Sequence, residues 1–189
     1  MSFRAEIDLD STPVLETERL ILRIPEPADA EEFAVAMSDP EVMRYVALGE
    51  TRTFEEAREA IERFRYNWRV DGFGVFAVAR RSDGRVIGRA SLLAWDPLTW
   101  DHSTRAEIGE RSEIEIGWVF ARHAWRHGYA TEAALAARDW VITAQRPARL
   151  ISIINPRNEP SKRVAAKIGA RYERDIVRPP GYVAELWTT

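Results

Sequence analysis

The chain has 189 residues, of which 46% are hydrophobic and 30% charged, and its formal net charge is −3. This length and apolar content predict one domain, residues 1–189, with a hydrophobic core. The absence of cysteine excludes disulfides, thiolate metal sites and a cysteine nucleophile. The three histidines do not have the spacing of zinc ligands, so no metal is expected. The negative charge argues against binding along a nucleic-acid backbone.

Neither a membrane span nor a secretory signal is predicted. No run approaches the roughly 18 consecutive apolar residues that a membrane span needs. Residues 1–10 alternate acidic and apolar side chains and lack the basic region and apolar segment of a signal peptide. We therefore expect a soluble cytoplasmic protein, monomer or homodimer, with neither nucleic-acid nor membrane partners.

The first seventy residues predict one strand and three helices. The strand spans residues 14–24 and is ended by two prolines. A helix begins near Ala28, and a shorter one carrying Val42 and Tyr45 follows the sequence Ser-Asp-Pro at 38–40. Thr53 and Glu56 then form a capping-box pattern. The apolar residues behind it have helical spacing: Ala57, Ala60, Ile61, Phe64 and Trp68.

Strand patterns dominate after residue 73. The apolar runs 75–79 and 86–93 flank a Ser-Asp-Gly-Arg turn and predict a hairpin. Residues 96–112 are polar and irregular and predict a long loop. The remaining predicted elements are a strand at 113–120, a helix at 128–143, a strand at 150–154, a helix at 160–168 and strands near 171–177 and 182–187. Together the elements predict an α/β domain with a mixed sheet.

The segment from Trp125 to Glu132, between a strand and a helix, has the features of an anion site. The first amides of a helix lack intrahelical acceptors and lie at the positive end of its dipole. Gly128 allows close approach to the backbone, and Arg126 adds positive charge. A tight junction that needs small residues for packing explains the same segment equally well. Neither the dinucleotide nor the nucleoside-triphosphate glycine fingerprint is present.

Two motifs in the correct order resemble the GNAT acetyltransferase superfamily. Residues 115–120 (Glu-Ile-Gly-Trp-Val-Phe) and 125–133 (Trp-Arg-His-Gly-Tyr-Ala-Thr-Glu-Ala) resemble its motif A. They are most similar to the branch that includes the ribosomal-protein N-terminal acetyltransferases. Residues 158–169 resemble the second family element, Asn-x-x-Ser-x-x-Val-x-x-Lys-x-Gly, and residues 17–23 resemble the opening of many members. One departure is Arg126, which stands where the family has the first glycine of Gly-x-Gly; another is Ala170, in place of an aromatic residue.

The resemblance implies a fold and a cosubstrate. The fold is a mixed, mostly antiparallel sheet of six to seven strands with about four flanking helices, in which strands 113–120 and 150–154 splay apart. The cosubstrate is acetyl-CoA, bound between those strands. The implied binding residues are Trp118, Val119 and Phe120 for the pantetheine arm, Trp125, Arg126, His127, Gly128, Tyr129, Ala130 and Thr131 around the pyrophosphate, and Asn158 for the pantetheine.

The implied reaction is N-acetylation of a primary amine by direct attack in a ternary complex. Deprotonating a lysine amine at pH 7 costs about 4–5 kcal/mol and an α-amino group about 1 kcal/mol, so a general base helps the lysine case most. Glu115 is the candidate base. Glu113, on the same face of an alternating strand, is a rival, and a solvated strand face explains both. Ser161 matches the serine that protonates the leaving thiolate, or it caps a helix.

The acceptor amine is not specified by the motifs. A protein N-terminus is suggested by the branch alone, and the acidic stretch 107–115 favours a cationic acceptor unless it is simply solvated. Trp95 and Trp100 flank the expected substrate entrance, although anchoring of the loop is the simpler explanation. Arg126 also suggests an alternative function, a non-catalytic acyl-CoA-binding module. A nucleotide-binding domain is disfavoured by the missing fingerprints.

Overall fold

A computed structural model of the protein describes residues 8–9 and 12–189. The N-terminal pattern that argues against a signal peptide lies outside the described residues, apart from positions 8 and 9. The described chain forms one sheet in the order β1-β2-β3-β4-β6-β7-β9-β8, with β5 paired to β4. The strands are β1 (Leu15–Glu16), β2 (Leu20–Arg23), β3 (Val75–Arg80), β4 (Val86–Trp95), β5 (His102–Ser103), β6 (Glu113–Phe120), β7 (Leu150–Ile154), β8 (Arg171–Arg178) and β9 (Tyr182–Thr188).

Four of the six described α-helices begin at a residue whose side chain caps them. Asp39 caps the second helix and Thr53 the third, the latter through the predicted capping box with Glu56. The helices are α1 (Ala30–Met37), α2 (Pro40–Met43), α3 (Phe54–Asp71), α4 (Arg105–Ile108), α5 (Tyr129–Gln145) and α6 (Glu159–Lys167). Four of these have eight or more residues, in agreement with the prediction of about four helices.

The sheet is mixed and mostly antiparallel, as predicted. Every neighbouring pair of described strands is antiparallel except β6 and β7, which are parallel. Seven strands have four or more residues, and β1 and β5 have two each. The one parallel pair is therefore at the centre of the sheet, where β6 also pairs with β4 on its other side.

Three local predictions were wrong. The single strand over 14–24 is two antiparallel strands, because the Thr17 hydroxyl accepts a hydrogen bond from the Leu20 N–H at 2.9 Å and closes a turn between them. The loop over 96–112 contains β5 and α4. The Thr104–Glu107 capping box that starts α4 is a visible sequence signal. Helix α2 ends at Met43, so Tyr45 lies outside it.

The core lies on both faces of the sheet. Helices α5 and α6 pack on one face, where Trp68 of α3 and Trp140 of α5 meet with ring centroids 5.5 Å apart. The Trp68 indole donates to the Val75 carbonyl at 2.9 Å. Helices α1 and α3 cover the other face over β3 and β4. Both tryptophans therefore belong to the core, as their helical spacing predicts.

The turn between β1 and β2 holds the first turn of α5 through Glu132. Oε1 of Glu132 accepts hydrogen bonds from the Thr17 hydroxyl at 2.6 Å and the Arg19 backbone N–H at 3.0 Å, and Oε2 accepts from Arg19 Nε at 2.8 Å. Burial opposes ionisation, but these hydrogen bonds prevail and hold the pKa of Glu132 below its usual value. Residues 17–23, which resemble the opening of many family members, thus have a structural role. They hold the first turn of the helix that begins after Gly128.

Replacing Glu132 with alanine is expected to lower the free energy of unfolding by roughly 1–3 kcal/mol, because the partly buried Thr17 hydroxyl and two N–H donors of Arg19 lose their acceptor. Urea unfolding of the variant and of wild type measures the difference. The pKa of Glu132 is lowered by folding, so its contribution is present above the ordinary glutamate pKa and disappears as the pH falls through the lowered one.

The control is Glu159→Ala, which removes an exposed glutamate from the first turn of α6. Its ion pair with Lys162 is a surface contact, so a change below about 0.5 kcal/mol is expected. Equal losses of unfolding free energy in the two variants would show that the Glu132 contacts stabilise the protein no more than a surface ion pair does.

Candidate active site

A gap opens in the middle of the sheet because β6 and β7 pair over two positions only. The pairs are Ile114 with Leu150 and Glu115 with Ile151. Beyond them β6 stays beside β4 as far as Phe120, and β7 stays beside β9. The predicted splaying of these two strands is therefore confirmed, and the gap widens toward the carboxyl ends of both.

Alternate backbone groups of β6 face this gap. The Ala121 N–H bonds to the Ile87 carbonyl at 3.0 Å, so the odd-numbered backbone groups point to β4 and the even-numbered ones point to β7. The Ile116 carbonyl accepts from Ser152 Oγ and the Phe120 carbonyl from the Trp125 indole N–H, both at 2.7 Å. Three backbone groups still face the gap: the N–H and C=O of Trp118 and the N–H of Phe120. These groups can pair with an extended ligand.

The backbone groups of Val119 do not face the gap. Its backbone points toward β4 and its side chain packs with Ala36, Val42 and Ala121 at helices α1 and α2. The expectation that Val119 belongs to the pantetheine-binding set is not supported by its orientation, because neighbouring strand residues point in opposite directions.

The loop that follows β6 presents a run of unpaired amides. Gly128 caps α5 in the left-handed conformation, with φ of 83°, and offers no side-chain acceptor. The first helical hydrogen bond runs from the Glu132 N–H to the Gly128 carbonyl at 3.1 Å. The backbone N–H groups of residues 126–131 have no acceptor in the part of the chain that the structure describes. Such a concentration of N–H groups at a helix start is a binding site for phosphate.

Arg126 adopts the backbone conformation of the glycine that it replaces. Its φ is 65°, in the left-handed region that glycine occupies freely and other residues occupy at a cost of roughly 1–2 kcal/mol. The side chain is exposed. The ring of His127 stacks on Tyr129 with centroids 5.5 Å apart, and its Nδ1 lies 2.8 Å from the Trp125 carbonyl. The loop therefore keeps its shape despite the substitution.

Asn158 and Ser161 lie at the start of α6, directly after β7. The side-chain oxygen of Asn158 accepts a hydrogen bond from the Ser161 backbone N–H at 3.2 Å, so Asn158 is the helix cap. The alternative that Ser161 caps this helix is therefore wrong. The Asn158 amide nitrogen and the half-buried Ser161 hydroxyl make no hydrogen bond within the described ranges, so both remain available to a ligand at this end of the gap.

Glu115 lies at the last pair before the strands separate. Its Oε2 accepts a hydrogen bond from the Trp95 indole N–H at 2.8 Å, and the Ile153 backbone N–H of β7 also donates to the carboxylate. The residue is partly open to solvent yet deep in the protein, as expected at the bottom of a cleft. Burial raises the pKa of Glu115, and the hydrogen bond from Trp95 with the charges of Arg178 and Arg89 reverses that rise only in part.

Glu113 occupies a different environment on the same strand face. Its Oε1 accepts from Arg149 at 2.7 Å, and the same guanidinium pairs with Glu173 at 2.7 Å. Glu113 Oε2 is buried and has no donor among the described residues. The Glu113 carboxylate is therefore engaged by Arg149, whereas no ion pair of Glu115 is present among the described residues.

The aromatic wall of the cleft comes from remote segments. The guanidinium of Arg178 lies 4.3 Å from the centre of the Trp95 ring and 5.2 Å from that of Tyr182, and its Nε donates to the Trp100 carbonyl at 3.2 Å. Trp95 and Trp100 are both buried in this cluster. Loop anchoring therefore accounts for Trp100, whereas Trp95 also contacts the candidate base.

His102 lies beside the same wall, with its ring centroid 5.3 Å from that of Trp95. Burial and the positive charges of Arg178 and Arg89 lower the pKa of His102. The lowered pKa favours the neutral imidazole, although the residue exposes much of its surface.

An open groove of about 580 Å³ lies beyond the carboxyl end of β7. Its lining residues are Arg44, Tyr45, Asn155, Pro156, Arg157, Tyr182 and Val183. Because Tyr182 belongs both to this groove and to the aromatic wall, the groove adjoins the cleft.

Metal and membrane sites have no counterpart in the described ranges. No group of three or more histidine, aspartate or glutamate side chains there could hold a metal ion. No described helix is long and apolar enough to cross a membrane.

Sequence reasoning missed Arg89 and Arg178. Arg89 lies within the apolar run of β4, where a charged residue is itself an anomaly that could have been noticed. Arg178 lies at the end of β8, and nothing local distinguishes it from other arginines of that strand.

A solved GNAT-family acetyltransferase shares the fold of this mixed sheet, which forks between two central parallel strands. The chain also matches the acetyltransferase (GNAT) domain over residues 19–171. The protein therefore belongs to the GNAT acetyltransferase family and is an acyltransferase, as the sequence resemblance predicts.

Individual relatives agree with this assignment. The chain is 31% identical over 166 residues to the YkkB protein of Bacillus subtilis, covering 86% of this chain and 87% of that protein. It is 30% identical over 161 residues to the N-acetyltransferase YoaA of the same organism, covering 85% and 84%.

Solved structures show the same fold. A GNAT-family acetyltransferase from Bacillus anthracis superposes with a TM-score of 0.73 at 27% identity, over 93% of this chain and 96% of that one. RimL, a ribosomal alpha-N-protein acetyltransferase in complex with coenzyme A, has a TM-score of 0.74 at 11% identity, over 94% and 97%. The similarity to RimL is one of fold alone.

The conformation of Arg126 predicts an inverted order of stability for two substitutions. At most positions alanine is more stable than glycine, because glycine loses more backbone entropy on folding. At a left-handed position the order reverses, so Arg126→Gly should unfold at higher urea concentration than Arg126→Ala. The same pair at Arg58, inside α3, should show the ordinary order, with glycine less stable by about 1 kcal/mol. The ordinary order at both positions would rule out the left-handed conformation of Arg126.

Proposed function

We propose that the protein transfers an acetyl group from acetyl-CoA to a primary amine by direct attack in a ternary complex. The observation that carries this proposal is the buried carboxylate of Glu115 at the point where β6 and β7 separate. There a base can accept a proton from an amine next to a ligand in the gap. The acceptor is a protein N-terminus or a small-molecule amine.

The residues that hold acetyl-CoA in this proposal follow from the unpaired groups. The N–H and C=O of Trp118 and the N–H of Phe120 bind the pantetheine arm as an added strand. The amides of residues 126–131 bind the pyrophosphate, with Arg126 free to contact a phosphate through its guanidinium. The side-chain amide nitrogen of Asn158 donates to the pantetheine.

Glu115 acts on the amine. A neutral amine forms the bond from nitrogen to the acetyl carbon, the carbon–sulfur bond breaks, and the proton from nitrogen passes to Glu115 directly or through water. Burial moves the Glu115 pKa toward neutrality, which makes its ionised form a stronger base than an exposed glutamate, while the Trp95 N–H keeps that form accessible. The Ser161 hydroxyl donates its proton to the leaving thiolate and regains one from solvent, so free CoA thiol and neutral Ser161 result.

The non-catalytic alternative loses its main support. It depends on Arg126 disrupting the phosphate loop, but Arg126 keeps the left-handed conformation of the family glycine, with φ of 65°. The acetyltransferase proposal is therefore the one that the geometry favours.

Glu115→Gln is expected to lower kcat by roughly 10²- to 10⁴-fold, the range for loss of a general base. Thiol release from acetyl-CoA with an amine panel measures the rate. In wild type, kcat should fall as the pH drops through the raised pKa of Glu115, because only the ionised carboxylate accepts a proton.

Glu113→Gln is the matched control, two residues away on the same strand face. It breaks the contact with Arg149 and should lower stability while leaving kcat within a few-fold of wild type. Unchanged activity in Glu115→Gln, or an equal loss in Glu113→Gln, would remove Glu115 from the mechanism.

Cosubstrate binding is tested separately by isothermal titration with acetyl-CoA, CoA and ATP. CoA and acetyl-CoA should bind and ATP should not, because the gap between β6 and β7 takes a pantetheine arm that ATP lacks. Arg126→Ala should weaken CoA binding several-fold if its guanidinium contacts a phosphate. Arg146→Ala, at the opposite end of α5 and also left-handed, is the control and should bind as wild type. Tight ATP binding with none for CoA would overturn the proposal.

A further inference from the structure

Arg89 is a half-buried cation with no ion pair or hydrogen bond among the described residues. Its guanidinium lies 5.5 Å from the centre of the Phe64 ring. Its Nε atom is buried and has no hydrogen-bond acceptor. Burial lowers the pKa of Arg89, but an arginine remains protonated in a protein. An unpaired polar atom in the interior is unfavourable, so Arg89 in the apolar strand β4 is a candidate to bind an acceptor that a ligand supplies.

Arg89 and Glu115 share one face of the sheet. The β4–β6 register places Arg89 opposite Val119, so four residues of β6 separate it from Glu115, roughly 14 Å at 3.4 Å per residue. The two charges are close enough to act on each other, each favouring the ionised form of the other. The face between them carries the small residues Ser91 and Gly117, which are themselves a cross-strand pair.

The pocket beside Arg89 on the α1 side is too small for a carboxylate ligand. Its volume is about 10 Å³, no larger than a single water, and its lining includes Glu32. Glu115, and not Glu32, is the carboxylate whose charge acts on Arg89. The direction that we consider for an anionic ligand is therefore along the sheet face toward Glu115, past Ser91 and Gly117.

The groove beside the cleft is also basic. Arg44 and Arg157 line it, and its described lining contains no acidic residue. Two glutamates of the acidic stretch 107–115 are engaged elsewhere, since Glu107 belongs to the capping box of α4 and Glu113 binds Arg149. Positive potential at an entrance concentrates anionic ligands and increases their association rate.

We propose that the acceptor is a small amine that carries a carboxylate, and that Arg89 binds this carboxylate while the amine nitrogen lies at Glu115. The proposal rests on the acetyltransferase function proposed above. A molecule with both groups complements the opposite charges of Arg89 and Glu115, whereas a polyamine places a second cation against Arg89. The planar guanidinium binds a carboxylate through two parallel hydrogen bonds, so Arg89 determines specificity rather than the chemistry of transfer.

The test uses matched pairs of acceptors. The α-amino acids, β-alanine and γ-aminobutyrate are each assayed beside the corresponding carboxamide, together with spermidine and a short peptide amide, by thiol release from acetyl-CoA. The enzymes are wild type, Arg89→Gln, Arg89→Lys and the control Arg58→Gln, which removes an exposed arginine of α3 that pairs with Glu55.

Wild type should prefer at least one acid over its amide by about 30-fold or more in kcat/KM, the effect of leaving a buried charge unpaired. Arg89→Gln should remove this preference, mainly through KM. Arg89→Lys should restore part of it, because an ammonium keeps the charge but not the two parallel hydrogen bonds. Arg58→Gln should match wild type.

The two proposals fail differently. Acetylation of amides, spermidine or peptide amides at least as fast as of the acids, or equal losses for acids and amides in Arg89→Gln, would overturn the Arg89 proposal and leave the acetyltransferase intact. If CoA binds but no amine of the panel releases thiol, the acetyltransferase proposal fails and the Arg89 proposal fails with it.

Stability provides a second readout that does not depend on turnover. An arginine retained for a ligand destabilises the free protein, so Arg89→Met should raise the urea midpoint of the free enzyme. A lower midpoint in Arg89→Met would show that Arg89 supports the fold, and would count against the proposal.

Discussion

The short parallel pairing between β6 and β7 is the constraint on which the rest of the site depends. Two strands that pair over two positions and then separate leave backbone groups unpaired inside a sheet, which is unfavourable unless something else binds them. The protein satisfies two of these groups itself, since Ser152 and Trp125 donate to the carbonyls of Ile116 and Phe120. The groups left over on Trp118 and Phe120 define where an extended ligand can pair with β6.

The same separation determines the electrostatics of the cleft. Glu115 lies at the fork, where burial raises its pKa, and Arg89 lies further along the same face without a partner. Both side chains are more costly in the free protein than apolar residues would be. Such groups are retained where function requires them, because a site that binds charge must hold charge before its ligand arrives. Glu113, on the same strand face, is by contrast paired with Arg149.

The phosphate loop shows how the fold tolerates a departure from the family pattern. Arg126 takes the left-handed conformation because both ends of the loop are held. On one side the Trp125 indole binds the Phe120 carbonyl, and on the other Glu132 binds Thr17 and Arg19. These contacts outweigh a strain of roughly 1–2 kcal/mol at one residue.

The sequence by itself determined the elements whose signals are local. The strand at 113–120, the capping box at Thr53 and the helix start at Gly128 depend on neighbouring residues, so their predicted positions agree with the structure. Only the tertiary structure distinguished the environment of Glu115 from that of Glu113. The two have the same local pattern, and their difference comes from Trp95 and Arg149, which lie far away in the chain. The tertiary structure also decided that Arg89 has no ion pair among the described residues. Whether a charge is paired depends on which remote segments the fold places around it.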